Sequence, residues 1–254
     1  MIATLGMYDR PETQGATDRF WVLIRDGLRA AGHAAPEHLS RDTRAYMENW
    51  LSPDLLLSQT CGYPFRARLH PKVTLIGTPD YGVEGCPPGH YRSVLVCRAS
   101  DPRDSEAEFA TTRLAFNEDL SQSGWAAPAL HMAERGLPTR PALRSGAHLA
   151  SARAVAEGAA DWAALDAVTW RLILRHDPFA ARLRVWGQTA PAPGLPYITA
   201  AGRDPAPIRR AIRAAIAALA PQDRDAIGPR KLVEIPAAIY LAQPNPPPPI
   251  LAEA

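Results

Sequence analysis

The feature that most constrains this chain is a regular alternation of short apolar runs with segments of helical period. Residues 2–7 form the first apolar run. Residues 18–32, DRFWVLIRDGLRAAG, then place Phe20, Leu23, Ile24, Leu28 and Ala31 on one helical face. Strand-like runs follow in PDLLLSQTCG, VTLIGTPDYG, YRSVLVCRA, TRLAFNE, PALRSG, ADWAALD, LRVWGQT, LPYITAAG and KLVEIP. Between them SGWAAPALHMAERG, HLASARAVAEG, AVTWRLILRH and PAPIRRAIRAAIAALA read as helices. Most of the 26 prolines lie between the apolar runs and mark their ends, and the tail QPNPPPPILAEA is expected to be polyproline II.

Alternation of this kind predicts an α/β fold whose sheets are covered on both faces. In such sheets ligands lie beyond the carboxyl ends of the strands. The polar clusters fall at those ends: SQT after LLL, SQSG after LAFNEDL, SGAH after PAL, and Asp166 after WAAL. Several strand ends converging on one pocket is the physical expectation.

Composition narrows the class. With 46% hydrophobic and 21% charged residues, the chain has a core and is not disordered. Its 28 basic and 26 acidic side chains leave a formal +2, too little for non-specific attraction to nucleic acid or a membrane. No apolar stretch approaches the ~18 residues of a membrane helix. The opening MIATLGMYDRPE has no leader pattern, so the expectation is cytoplasmic, or periplasmic if a leader was removed. Cys97 reads as a core thiol; Cys61 and Cys86, both in turn-rich segments, are a candidate disulfide or two separate thiols. No metal-ligand motif, P-loop or nucleophile elbow is present, so no catalytic residue, metal or cofactor is assigned.

The segment EDLSQSGWAAP, residues 118–128, has two readings. Ser121 or Ser123 caps a helix, or the hydroxyls, Gly124 and the first N–H groups hold an anion. Asp166 has the same ambiguity, as a cap or as an acceptor in the pocket, and His148 reads as a surface residue or a pocket donor.

The ordered set MYD, SQTCGYP, GTPDYG, LSQSGW and SGAH…SARAVAEGAADWAALD resembles the phosphonate/phosphite-type solute-binding proteins of ABC transporters. The resemblance implies a two-lobed, type II periplasmic-binding-protein fold with a small oxyanion clamped in a cleft between the lobes. It places lobe 1 at 1–97 plus 191–254, lobe 2 at 98–190, and a proline-rich tail at 243–254. Ser121, Gln122, Ser123, Gly124 and His148 would hold the oxyanion. Ser58, Gln59, Thr60 and Tyr63 would form the facing wall, Tyr8 and Tyr81 would add phenolic groups, and Asp166 would favour a protonated or aminated ligand. The partners implied are the oxyanion and an ABC permease. A cytosolic sensing module, or a cofactor-precursor enzyme on the same fold, are the alternatives; the enzyme would need an active cysteine or histidine in its cleft.

Overall fold

A computed structural model describes residues 1–42 and 46–251. The chain divides into two compact units: residues 1–90 with 193–242, and residues 91–192 with 243–254. The division therefore lies ahead of the run SVLVCR rather than behind it. The proline-rich tail clusters with the second unit instead of the first.

The first unit contains β1 (Ile2–Ala3), α1 (Gln14–Ala30), α2 (Tyr46–Leu51), β2 (Leu55–Gln59), α3 (Gly62–Pro64) and β3 (Val73–Asp80). After the second crossing come β11 (Tyr197–Ala200), α8 (Ala206–Ala218), α9 (Pro221–Ile227), β12 (Lys231–Val233) and α10 (Ala237–Leu241). The strand order is β1-β2-β11-β3-β12, with β1 and β2 parallel and β11 antiparallel to both its neighbours. On one face Phe20, Trp21, Ile24 and Leu28 of α1 pack with Ile208, Ile212 and Ala215 of α8 over Leu56, Leu57 and Ile76. On the other, Trp50, Phe65, Leu69 and Tyr240 cover Leu55 and Ile198. Covering both faces is why LLL is apolar throughout rather than alternating. Each large side chain so buried contributes about 1.5–3 kcal/mol.

The second unit contains β5 (Ser93–Arg98), α4 (Glu106–Phe109), β6 (Arg113–Phe116), α5 (Ala127–Ala133), β7 (Arg140–Arg144), α6 (His148–Ala156), β8 (Trp162–Asp166), α7 (Ala167–His176) and β9 (Leu183–Gln188). Its sheet runs β7-β6-β8-β5-β9, with β6 parallel to β7 and β8, and β5 antiparallel to β8 and β9. The centre is buried by Leu95, Phe109, Leu114, Phe116, Met132, Val155, Trp162 and Ile173. β4 (His90–Tyr91) and β10 (Ala192–Pro193) form a separate two-stranded ladder where the chain changes unit.

Three local expectations change. The first strand is Ile2–Ala3 rather than 2–7, because the chain enters a turn after Leu5. α1 starts at Gln14, ahead of the apolar stripe, since its first turn adds buried Ala16 and Thr17. Cys61, Cys86 and Cys97 are not disulfide-bonded. Cys61 precedes α3 and Cys86 closes a turn onto Val83 O at 3.1 Å; turn context alone never guaranteed the Cβ approach a disulfide needs.

Candidate functional site

In the second unit the chain leaves β6 at Phe116, passes through Asn117–Leu120, and enters a π turn, Gln122–Ala126, that continues directly into α5. Such i to i+5 turns concentrate at functional sites. Ser121 stands at the cap: its Oγ accepts the Gly124 N–H at 2.9 Å. The capping role is thus realised by Ser121. Ser123 is different: its Oγ shares a 2.8 Å hydrogen bond with His148 Nε2. Its N–H has no partner among the described residues. Both serines and Gln122 are buried.

His148 reaches Ser123 because the preceding turn is pinned to the end of β6. Ser145 N donates to Phe116 O at 2.8 Å and Gly146 N to Asn117 O at 2.9 Å. Gly146 takes φ +84, a conformation glycine adopts without penalty. His148 then opens α6. Burial lowers its pKa to about 4, against a smaller opposing effect of the Ala164 backbone, so the imidazole is neutral at pH 7. Its Nδ1 is buried without a hydrogen bond of normal geometry. The group facing Ser123 is therefore a neutral ring, not a cation.

Gly124 is required by a neighbour within the protein. A Cβ there would stand 1.9 Å from Asn117 Oδ1 and 3.1 Å from Ser121 Oγ. Asn117 Oδ1 is itself a buried acceptor without a hydrogen bond. Sequence reasoning did not select Asn117; its signal was its place just past the last residue of a strand. Asp166 ends β8 and caps α7, accepting Val168 N at 2.6 Å and Thr169 N at 3.2 Å on one oxygen. Its carboxylate is thus oriented by its own helix.

The first unit treats its expected residues unevenly. Tyr8, Gln59 and Tyr81 line one small, partly open pocket of about 30 Å3, together with Leu5, Thr17, Phe20, Tyr197, Ile227 and Pro229. Among the described residues that line it there is no carboxylate, amine or guanidinium. Tyr8 and Tyr81 meet edge to face, 4.9 Å between centroids. Gln59 Nε2 donates to Leu195 O at 3.1 Å and to Tyr81 Oη at 3.4 Å. Ser58 lies in the core, where its Oγ accepts the Trp50 indole N–H at 3.0 Å. The Thr60 N–H donates to Pro196 O at 3.1 Å, and buried Tyr63 carries the Arg66 guanidinium 4.7 Å over its ring. Tyr197, which the sequence reading passed over as part of an apolar strand, completes the phenolic set.

No curated protein matches the chain in sequence. Among solved structures, PhnD1 from Prochlorococcus marinus in complex with methylphosphonate superposes with a TM-score of 0.72 at 18% identity, covering 94% of each chain. A binding-protein component of an ABC phosphonate transporter from Pseudomonas aeruginosa gives 0.66 at 15% identity, covering 92% of this chain and 80% of that one. A histidine kinase sensor domain similar to periplasmic binding proteins gives 0.59 at 17% identity, covering 92% and 98%. These likenesses establish the two-lobed, type II periplasmic-binding-protein fold. No helix among the described residues is long and apolar enough to cross a membrane. Residues 53–233 match the family described as the phosphonate, periplasmic substrate-binding proteins of ABC transporters, and the chain belongs to that family.

Proposed function

We propose that this protein captures a small phosphonate, or a like tetrahedral oxyanion, for ABC-type uptake, and that the turn Ser121–Gly124 with His148 receives the oxyanion. The observation that carries the reading is the Ser123 pair: a buried N–H without a partner and a hydroxyl held by a neutral histidine, at the start of a continuous helix. Hydroxyls and first-turn amides suit an oxyanion because they donate without a counter-charge. Donors of this kind contribute about 1.5–3 kcal/mol each to a charged acceptor.

Ser121 shapes the turn by holding Gly124, while Ser123 offers the contact. Asp166, oriented by its helix cap, is proposed as an acceptor toward a protonated or aminated ligand group. In the first unit Tyr8, Gln59 and Tyr81 are proposed as hydrogen-bonding contacts to the ligand. Thr60 and Tyr63 are proposed as further contacts, and Ser58 and Gln122 as support for their neighbours. The protein acts by binding without turnover, in the periplasm and with an ABC permease as partner. Sensing by the same fold is the second reading, supported by the likeness to the kinase sensor domain.

Calorimetric titration with methylphosphonate, phosphite, phosphate, 2-aminoethylphosphonate, sulfate and acetate tests this. Methylphosphonate is expected to bind and to be recovered unchanged, with Ser123→Ala weakening it at least about tenfold. Binding of none of the phosphorus oxyanions overturns the reading, and chemical conversion of a ligand replaces it with an enzyme.

A further inference from the structure

The carbonyl of Ser123 is held by a side chain far away in sequence, and Pro128 is the reason. In the π turn each closing N–H reaches the carbonyl five residues back. Ala126 N donates to Ser121 O at 2.9 Å, and Ala127 N donates to Gln122 O. The next donor in this register belongs to residue 128, a proline, which has no N–H. A buried carbonyl without a donor is costly. Ser93 supplies the missing donor: its Oγ, fully buried, donates to Ser123 O at 2.9 Å.

Ser93 is itself rigidly placed. Its N–H donates to Thr189 Oγ1 at 3.1 Å, its carbonyl accepts Thr189 N–H at 3.0 Å, and it stands opposite Asp166 in the β5–β8 ladder. The peptide that Ser93 grips by its oxygen is the one whose N–H, on Gly124, Ser121 grips from the other side. One peptide plane is thereby fixed at both ends, and the Ser123 side chain rising beside it is aimed at His148.

We infer that Ser93 is a positioning residue for the oxyanion turn: it replaces the donor that Pro128 removes and so sets the orientation of Ser123. The inference rests on the proposed role of that turn in ligand capture. Neither Ser93 nor Pro128 need touch the ligand.

The pairing of a missing donor with its replacement gives a specific test. Ser93→Ala, Ser93→Thr and the double variant Ser93→Ala/Pro128→Ala are compared with the unaltered protein in two measurements. One is titration with methylphosphonate. The other, on ligand-free protein, is the 15N resonance of the His148 imidazole, assigned with His148→Gln. Ser93→Ala is expected to weaken methylphosphonate binding about five- to tenfold and to move the His148 resonance. Ser93→Thr, which keeps the hydroxyl, is expected to preserve both. The double variant is expected to recover both, because residue 128 then carries an N–H in register with Ser123 O. A merely structural loss at Ser93 would not be repaired by a change at 128.

An unmoved His148 resonance in folded Ser93→Ala overturns the inference, as does failure of both Ser93→Thr and the double variant to restore it. If the unaltered protein binds neither methylphosphonate, phosphite nor phosphate, the proposed function falls. The resonance comparison still decides the role of Ser93.

Discussion

Two turns in this molecule carry nearly the same sequence. The first unit has Leu57-Ser58-Gln59-Thr60-Cys61-Gly62-Tyr63-Pro64, and the second has Leu120-Ser121-Gln122-Ser123-Gly124-Trp125 with a proline at 128. Both lead into a π turn, at Phe65–Leu69 and at Gln122–Ala126. In the first, strand β2 continues through Gln59, so Ser58 is a core residue and Gln59 a ladder residue. In the second, the strand has already stopped at Phe116, and Asn117–Leu120 carry the serines clear of the sheet. The same residue types become core in one place and a π turn beyond the sheet in the other, according to where the strand stops.

The strongest way to break this comparison is at its two glycines. A Cβ on Gly124 would collide with Asn117 Oδ1, whereas one on Gly62 meets Tyr240 Cδ1 at an ordinary 3.5 Å. Gly124→Ala is expected to cost about 1–3 kcal/mol of stability. It should also abolish measurable methylphosphonate binding, since Ser121 and Asn117 must both move. Adding Asn117→Ala should return part of the stability. Gly62→Ala is expected to lie between neutral and about 1 kcal/mol stabilising. Thermal unfolding and titration of the three variants check this, and equal losses at the two glycines would sink the comparison.

The serines sharpen it next. Ser58→Ala strands the buried Trp50 N–H and should cost about 1–3 kcal/mol while leaving binding by the folded fraction within about twofold. Ser123→Ala should do the reverse, with little loss of stability and a large loss of affinity. Denaturant unfolding and calorimetry on both variants separate the two roles.

Much of this was legible in the sequence because it follows from pattern. The stripe Phe20, Leu23, Ile24, Leu28 identifies α1, and WAALD identifies the central strand of the second unit. The turn Ser121–Gly124 does follow a strand end, whereas Ser58 lies within β2. The distinction between Ser58 and Ser123 was not legible, because strand length is set by partners across the sheet, here β11 for β2. Ser93 was hidden for a related reason. In sequence it is a polar residue entering an apolar strand, and only the π register, read with Pro128, gives its hydroxyl a task. α9 and α10 escaped because neither is long enough to show a full helical stripe.

A smaller effect concerns protonation. With its folded pKa lowered to about 4 by burial, His148 binds fewer protons than in the unfolded chain between about pH 6.5 and 4. Stability should therefore be lost as pH falls through that window, by up to about 3 kcal/mol, and be unaffected by this residue above it. His148→Gln should flatten that part of the stability–pH curve. Methylphosphonate affinity between pH 7 and 8 should show no histidine step. A transition near pH 6.5 in affinity that vanishes in His148→Gln would mean that a cationic ring contacts the ligand.

The smallest expected effect lies in the aromatic residue that follows each glycine. Tyr63 lies beneath Arg66, a contact within its own turn. Trp125 instead donates its indole N–H to Pro247 O at 3.0 Å, so the second π turn is also where the tail is fastened, beside buried Pro246. One neutral hydrogen bond contributes about 1 kcal/mol, too little to unfold the unit but enough to change how often the tail lifts. Trp125→Phe keeps the ring and removes the donor, so it should speed proteolysis within residues 243–251 about fivefold while global unfolding moves little. Tyr63→Phe, at the matching place, should leave tail cleavage unchanged. If both variants release the tail equally, Trp125 is no fastening and the two turns are more alike than their contacts imply.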